Sequence, residues 1–283
     1  MRRTKSYSKN FSPLYMVAVP IGNLKEFSNR ALEVIKDSDY IFCEDTRNTG
    51  LLLSHFDIKK NLVSLREHNE TEVSIKAIQL IKEGKKVCYV SDAGYPAISD
   101  PGKILVKKAR EEGLPVSTIS GSSACLNALV SSSIDSSHFY FHGFLNSNDT
   151  KAKEELESLK EKKETLIFYE APHRIERTIN LMNDVLKDRN VTIARELTKL
   201  NEEYIEGSLN ELKHLDFKTI IGEIVLIIEG NKDEDNKVDD QKILERANYL
   251  LSRNISVKDV SDIVSYELNI PKKYVYNLLI NQK

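Results

Sequence analysis

Strand-like and helix-like stretches alternate along this chain with little between them, and few architectures accommodate that order. "LYMVAV" (14–19) is followed by the loop "PIGNLKE" and the helical "NRALEVIKD", which leads into "YIFCE". "NLVSL" precedes "NETEVSIKAIQLIKEG", where Val73, Ile75, Ala77, Ile78, Leu80 and Ile81 fall at broadly helical spacing. "KVCYVS", a loop at 91–102, a helix over 103–112, "PVSTI" and a helix from Gly121 complete a first half. Alternation at this spacing predicts crossover units and a mainly parallel sheet covered on both faces, an α/β domain over 14–132.

The run "SSSIDSS" (131–137) reads as a connector into a second α/β domain, 137–230. Its stretches "FYFHGF", "TLIFYE", "VTIARE", "EEYIEG" and "GEIVLIIEG" lie closer together in sequence, with helices near 150–163 and from about 175. A mixed sheet is expected. "NKDEDNKVDD" (231–240) is charged and almost devoid of apolar residues, which marks a linker. Beyond it, 241–283 carries no strand signal and reads as three short helices, with Ser256 able to cap the second and Pro271 suited to the start of the third. That pattern suits a helix-turn-helix-like module or a small bundle. Residues 1–13 form a basic, flexible arm.

A chain of 283 residues, 40% apolar and 30% charged, can bury more than one core. No apolar run reaches the roughly 18 residues that a membrane helix needs, and the basic N-terminus is not followed by a signal-peptide core. Cys43, Cys88 and Cys125 are widely spaced, which fits a reducing cytoplasm and buried thiols. The six histidines form no ligand cluster, although His138 and His142 would share a face of a strand, so no metal is expected. The net charge of −2 excludes a bulk-basic nucleic-acid binder, and any RNA contact must be local. No G-x-G-x-x-G follows the first strand, no Walker loop is present, and "GSSAC" lacks the second glycine of a serine elbow.

Ligands of open α/β sheets bind beyond the carboxyl ends of the strands. The segments at that edge are "PIGNL" (20–24), "EDTR" (44–47), "SDAGYPAISDPG" (91–102) and "SGSSA" (120–124). Gly22, Gly94 and Gly121 admit close backbone approach, while Pro20, Pro96 and Pro101 stiffen the path. Such loops suit a polar, flexible small molecule.

"VAVPIGNL", "CEDTRNTGLLLSHF", "EHNE", "SDAGYPAISDPG", "SGSSA", "FYEAPHRI", "ARELTKLNEE" and "GEIVLIIEG" occur in that order. Together they resemble the cytidine 2′-O-methyltransferases of small-subunit ribosomal RNA, a branch of the tetrapyrrole-methylase fold. The resemblance spans about residues 14–230, and the helical tail is also similar to that family's C-terminal domain. It departs at Val19 and Tyr95, where threonines are usual, and at Ser122, which replaces a proline. The resemblance implies class III methyltransferase architecture, a homodimer in the cytoplasm, and 2′-O-methylation of a decoding-region cytidine with S-adenosylmethionine as methyl donor.

By the same resemblance, Pro20, Asp92, Ala93, Gly94, Ile98, Ser123 and Ala124 would line the cofactor, with Tyr169, Glu170 and Thr198 closing it from the second domain. Glu44, Asp45, Glu196 and Lys199 are candidates for proton removal and charge stabilisation. Equally, Glu44 and Asp45 could cap a helix and pair with Arg47, and Glu196 could pair with Arg195 or Lys199. Arg47, His68, Arg174 and Arg195 could hold RNA or serve in structural ion pairs. Two other functions stay open: a same-fold methyltransferase acting on a tetrapyrrole or modified amino acid, and a non-catalytic helix-turn-helix regulator.

Overall fold

The computed structural model describes residues 3, 5–7, 12–232, 240–268 and 270–281. The expected arm and linker fall largely outside these residues (1, 2, 4, 8–11 and 233–239). The first half runs β1 (Leu14–Val17), α1 (Asn29–Asp37), β2 (Tyr40–Cys43), α2 (Thr46–Ser54), β3 (Asn61–Ser64), α3 (Glu70–Lys82), β4 (Val87–Val90), α4 (Lys103–Glu111), β5 (Val116–Ile119) and α5 (Ala124–Ser131). Its five strands form one sheet in the order β3-β2-β4-β1-β5, every pair parallel. Central β4 is apolar and buried throughout, whereas edge strand β3 has no buried residue, as burial on both faces of the centre requires.

Each face has its own core. On one, Met16, Phe42 and Tyr89 meet Ala77, Ile78, Ile81, Leu105 and Ala109 from α3 and α4. On the other, Val17, Ile41, Cys43, Cys88 and Val90 meet Phe27, Leu53 and the α1 residues Ala31 and Ile35. All three cysteines are buried and unpaired, and burial pushes the Cys88 thiol up to about 12.

The second sheet contains β6 (Phe139–Phe144), β7 (Thr165–Glu170), β8 (Asn190–Arg195), β9 (Glu203–Ser208) and β10 (Ile224–Ile228). Its order is β6-β7-β10-β8-β9, with β6 and β7 parallel and the other pairs antiparallel. The mixed character follows from the close spacing of strands: β8 reaches β9 through a short turn, which only antiparallel pairing permits. α6 (Asp149–Leu159) and α7 (Ile175–Leu186) cover one face, and α8 (Leu209–Leu212) follows β9. α5 buries Cys125, Ala128 and Leu129 against Ile167, Ala194, Val225 and Ile227, so it belongs to the core of the second sheet. Pairing of β6 with β7 slips between Phe141 and Gly143, a bulge at His142. Strict alternation therefore does not carry from His138, which precedes the strand, to His142.

By compactness the chain divides into residues Met1–Asn231 and Lys232–Lys283. The second unit contains α9 (Asp240–Leu251), α10 (Val257–Leu268) and α11 (Lys272–Ile280) around a core of Ile243, Ala247, Leu250, Val260, Val264, Val275 and Leu279. The Ser256 hydroxyl accepts from the Asp259 N–H at 3.2 Å at the start of α10, and Pro271 occupies the N-cap of α11. Among the described residues no helix is long and apolar enough to cross a membrane.

Candidate active site

β1, β4 and β5 end side by side, and their loops are fastened to one another. Val19 and Gly94 exchange backbone hydrogen bonds of 2.9 and 3.1 Å, an isolated bridge that pins the 91–102 loop to the end of β1. A side chain at Gly121 would place its Cβ 2.9 Å from that of Ala18, so only glycine permits this approach. The Tyr95 hydroxyl accepts from the Gly121 N–H at 3.2 Å, and Ser122 donates to Glu26 at 2.8 Å. Tyr95 and Ser122 thus cross-link the loops here.

The far end of the 91–102 loop is held by a buried acid that the motif reading did not identify. One carboxylate oxygen of Glu70 accepts from the N–H groups of Gly102 (2.8 Å), Ile104 (2.8 Å) and Leu105 (3.3 Å), capping α4 from the first residue of α3. Between these fixed ends Ala97 and Ser99 adopt φ of 68° and 61°, sparsely populated for residues other than glycine.

The second sheet supplies the facing wall through the segments after β7 and β8 and before β10. Glu196 and Thr198 also have positive φ, 51° and 67°. Lys199 places its ammonium 2.9 Å from Glu196 and 2.8 Å from Glu223. Its stem lies over Gly22, where a Cβ would come within 2.6 Å of Lys199 Cγ. Burial of its stem opposes the charge, but Glu223 and Glu196 outweigh this and hold its pKa above the ordinary lysine range. The Lys199 hydrogen bond lowers that of Glu196.

A cavity of about 330 Å³ lies between these walls. Ile21, Ile98, Phe144, Tyr169, Leu197 and Val225 give it apolar surface, with Asp100, Glu170 and Glu223 as its carboxylates. Tyr169 stands edge-on to Phe141 and Phe144, ring centroids 5.0 and 5.6 Å away.

Among the expected cofactor residues, Ala93, Gly94, Ile98, Ser123, Ala124, Tyr169 and Glu170 line this cavity; Pro20, Asp92 and Thr198 do not. Asp92 instead accepts from the Asp45 N–H (3.2 Å) and the Asn48 amide (2.7 Å). The Glu170 carboxylate is taken up by Ala171 N–H (2.8 Å), the Thr178 hydroxyl (2.5 Å) and Arg174 (3.2 Å). Arg174 also donates to the Leu145 carbonyl, and Arg195 is paired with Glu203. Both guanidiniums are thus engaged within the second sheet's own structure.

At "EDTR" Asp45, and not Glu44, makes the capping and pairing contacts. Asp45 is the N-cap of α2, accepts from the Arg47 backbone and side chain, and receives a further bond from Arg66 at 3.0 Å. The Arg47 hydrogen bonds hold the Asp45 carboxyl well below the usual carboxylate range. Arg47 itself is 82% exposed, and His68 lies on an exposed turn. Glu44 is half-buried, and burial together with the charge of Asp92 raises its pKa.

The cavity offers what the expected methyl donor needs. Its volume falls within the roughly 300–1,000 Å³ usual for small-molecule sites. Apolar and aromatic walls suit a heterocycle, and Asp100, with Glu44 and Asp92 behind it, gives one end the negative potential that a sulfonium cation favours. The Thr198 hydroxyl is buried without a partner among the described residues, beside the cavity residue Leu197. The residues fit such a donor.

The chain matches the family described as Tetrapyrrole (Corrin/Porphyrin) Methylases over residues 13–213. It is 38% identical over 285 residues to the Ribosomal RNA small subunit methyltransferase I of Bacillus subtilis (strain 168), with 98% of each chain covered. The protein of the same name from Haemophilus influenzae is 39% identical, with 93% of this chain and 94% of that one covered. Among solved structures, uroporphyrin-III-C-methyltransferase from Thermus thermophilus superposes with a TM-score of 0.55 at 17% identity, covering 76% of this chain and 93% of that one. Diphthine synthase does so at 0.59 and 14%, covering 76% and 89%. At these identities the two structures speak to the fold alone.

Proposed function

Since the chain belongs to the tetrapyrrole (corrin/porphyrin) methylase family, alongside the ribosomal RNA small subunit methyltransferases I, we propose that it methylates small-subunit ribosomal RNA in the cavity between its two sheets. The observation that carries this reading is the convergence of loops from both sheets on one cavity at the strand ends, in a chain alignable almost end to end with rRNA methyltransferases. The finer reading is S-adenosylmethionine-dependent transfer to the 2′-oxygen of a cytidine in the decoding region, by a cytoplasmic homodimer. Val130, Leu200 and Ile221 are exposed apolar side chains, the kind of surface that such a homodimer would cover.

S-adenosylmethionine, when bound, supplies an electrophilic methyl group on a sulfonium. Ala93, Gly94, Ile98, Ser123, Ala124 and Tyr169 would hold it. The bridge between Val19 and Gly94 and the Glu70 cap keep that wall rigid, so little order need be imposed on binding. Bringing a hydroxyl into line with a methyl carbon is chiefly a matter of positioning, and a fixed wall contributes most there. Glu196, Lys199 and Glu223 act as a clasp that ties the second sheet's loops over Gly22. A tetrapyrrole substrate is disfavoured by the helical unit, where Lys258, Lys273 and Tyr276, beside a Lys272 paired with Asp262 at 2.6 Å, line one groove suited to an RNA backbone.

Calorimetry with S-adenosylmethionine and its demethylated product, followed by nucleoside mass spectrometry of methylated small-subunit RNA, tests the reading. Saturable binding and a 2′-O-methylcytidine are expected. A methyl on a base would refute the ribose assignment, and no saturable binding would remove the cofactor.

A further inference from the structure

The helical unit of α9, α10 and α11 shows more aromatic surface than its own packing uses. Its tyrosines, Tyr249, Tyr266, Tyr274 and Tyr276, are all exposed. Tyr249 and Tyr274 have a structural part. The Tyr249 ring lies under the guanidiniums of Arg246 and Arg253, 5.6 and 5.2 Å from its centroid, and the Tyr274 hydroxyl donates to Asp240 at 2.7 Å. Tyr266 and Tyr276 have none. Tyr266 is 91% exposed on α10 and Tyr276 stands in the lysine groove on α11, and neither makes a hydrogen bond, ring contact or cation contact among the described residues.

The groove around Tyr276 is lined by Lys258, Lys272 and Lys273 and by no acid. Asp262 is taken by Lys272 at 2.6 Å and Asp259 by the Ser256 hydroxyl at 2.7 Å, so Lys258 and Lys273 have no ion pair among the described residues. All three lysines fall in the first turn of α10 or α11, where the macrodipole disfavours a cation, so helix stability does not account for them. Along α10, Lys258, Asp262 and Tyr266 recur every fourth residue and share a face, which puts Tyr266 on the side of the groove. In a chain of net charge −2 this is a local concentration of unpaired cations and unpacked rings.

We propose that this face of the helical unit binds single-stranded RNA, with Tyr266 and Tyr276 as platforms for unpaired bases and Lys258 and Lys273 on the phosphates. The inference rests on reading the chain as an enzyme of ribosomal RNA, and it adds the kind of segment engaged. Phosphate contacts alone do not choose, since strand and duplex both present a phosphate backbone. A tyrosine ring does choose. Every base has a π-face that can lie on it, but in a duplex those faces are buried in the stack and only in a single strand are they free. Lysines without the rings would suit either form of RNA.

The test uses the full-length chain, a short single-stranded RNA of mixed sequence, and the same strand annealed to its complement, with affinities read by fluorescence anisotropy over a salt series. The strand should bind about 10-fold or more tighter than the duplex. Tyr276→Ala and Tyr266→Ala should each weaken the strand by about 5- to 100-fold and leave duplex affinity nearly unchanged. Their salt slope should stay that of the wild type, because a stacked base releases no counterion. Tyr276→Phe keeps the ring and should bind almost as the wild type does. Ultraviolet crosslinking of the bound strand, followed by peptide mass spectrometry of the wild type, should place adducts on Tyr266 or Tyr276. Equal affinity for strand and duplex overturns the proposal, as do adducts confined to residues outside the helical unit, and neither measurement needs a variant to fold. Unchanged strand affinity in both alanine variants also overturns it, as does a Tyr276→Phe variant as weak as Tyr276→Ala. A wild type that prefers the strand yet leaves small-subunit RNA unmethylated would strike at the parent reading alone.

Discussion

Gly222→Ala probes how the clasp at the second sheet is built. Gly222 has φ of 86°, and a Cβ there would lie 2.0 Å from Glu196 Oε1 and 2.3 Å from its Cδ. A left-handed alanine costs about 1–2 kcal/mol on its own account. The clash also drives Glu196 off Lys199 and off the Glu223 N–H, contacts of 2.9 and 3.2 Å at a half-exposed site, worth together about 1–1.5 kcal/mol. The single variant should thus lose about 2–3.5 kcal/mol. Glu196→Ala alone should lose only about 1–1.5, since it forgoes those contacts without strain. In that background nothing of Glu196 beyond its Cβ remains to be displaced, and Gly222→Ala should cost only the backbone term. Urea unfolding of the four proteins closes the cycle, with a coupling of about 1–1.5 kcal/mol expected. Costs that add within about 0.5 kcal/mol would mean that the glycine is required by its conformation alone and that the packing argument is wrong.

Glu70→Ala removes the acceptor of three N–H groups at the start of α4 and should cost about 2–4 kcal/mol, read by chemical denaturation, with weakened donor binding because the 91–102 loop loses its fixed end. Glu70→Gln, which keeps an acceptor oxygen, should lose much less. Asp45 has a folded pKa held below its unfolded value, so its stabilisation is present above about pH 4 and lost as pH falls through the folded pKa. Asp45→Asn should accordingly flatten the loss of stability between pH 4 and 2 in a denaturation series. Lys258→Glu/Lys273→Glu, both exposed in the helical unit, should weaken RNA binding and reduce its salt dependence by about one unit per lost phosphate contact, with donor affinity unchanged by calorimetry.

The strand and helix order of the first half was legible because parallel strands buried on both faces must be continuously apolar, as "VCYV" is. The ends of elements were less so. The helix expected from Gly121 begins at Ala124, since Gly121 serves the close approach to Ala18 instead of helix formation. "LYMVAV" stops being sheet at Val17 because the chain there turns to pair with Gly94, a loop residue far away in sequence. The place of α5 was hidden for a related reason. Local periodicity identifies an apolar helical face but cannot say which sheet will cover it, and here the cover is Ile167, Val225 and Ile227 from the second half.

Loops at the site were visible as glycine- and proline-rich breaks after strands, yet the chemical state of their side chains was not. "SDAGYPAISDPG" contains two aspartates, and the resemblance drew attention to Asp92. In the fold Asp92 turns to the Asp45 backbone and the Asn48 amide, while Asp100 turns to the cavity. Nothing local distinguishes them. What does is a meeting of segments: Glu44 from the end of β2 and Asp92 raise the proton affinity of Asp100, while Glu70, from the start of α3, fixes the loop just beyond it. A carboxyl group has its proton affinity raised by being buried near like charges and given no cation, and burial and missing partners are properties of the assembled fold. The same logic applies to the acids that have a basic neighbour in sequence. "EDTR" and "RELTK" keep acid and base adjacent in sequence, and that adjacency, which makes a motif conspicuous, also lets the basic partner hold the acid ionised and weak.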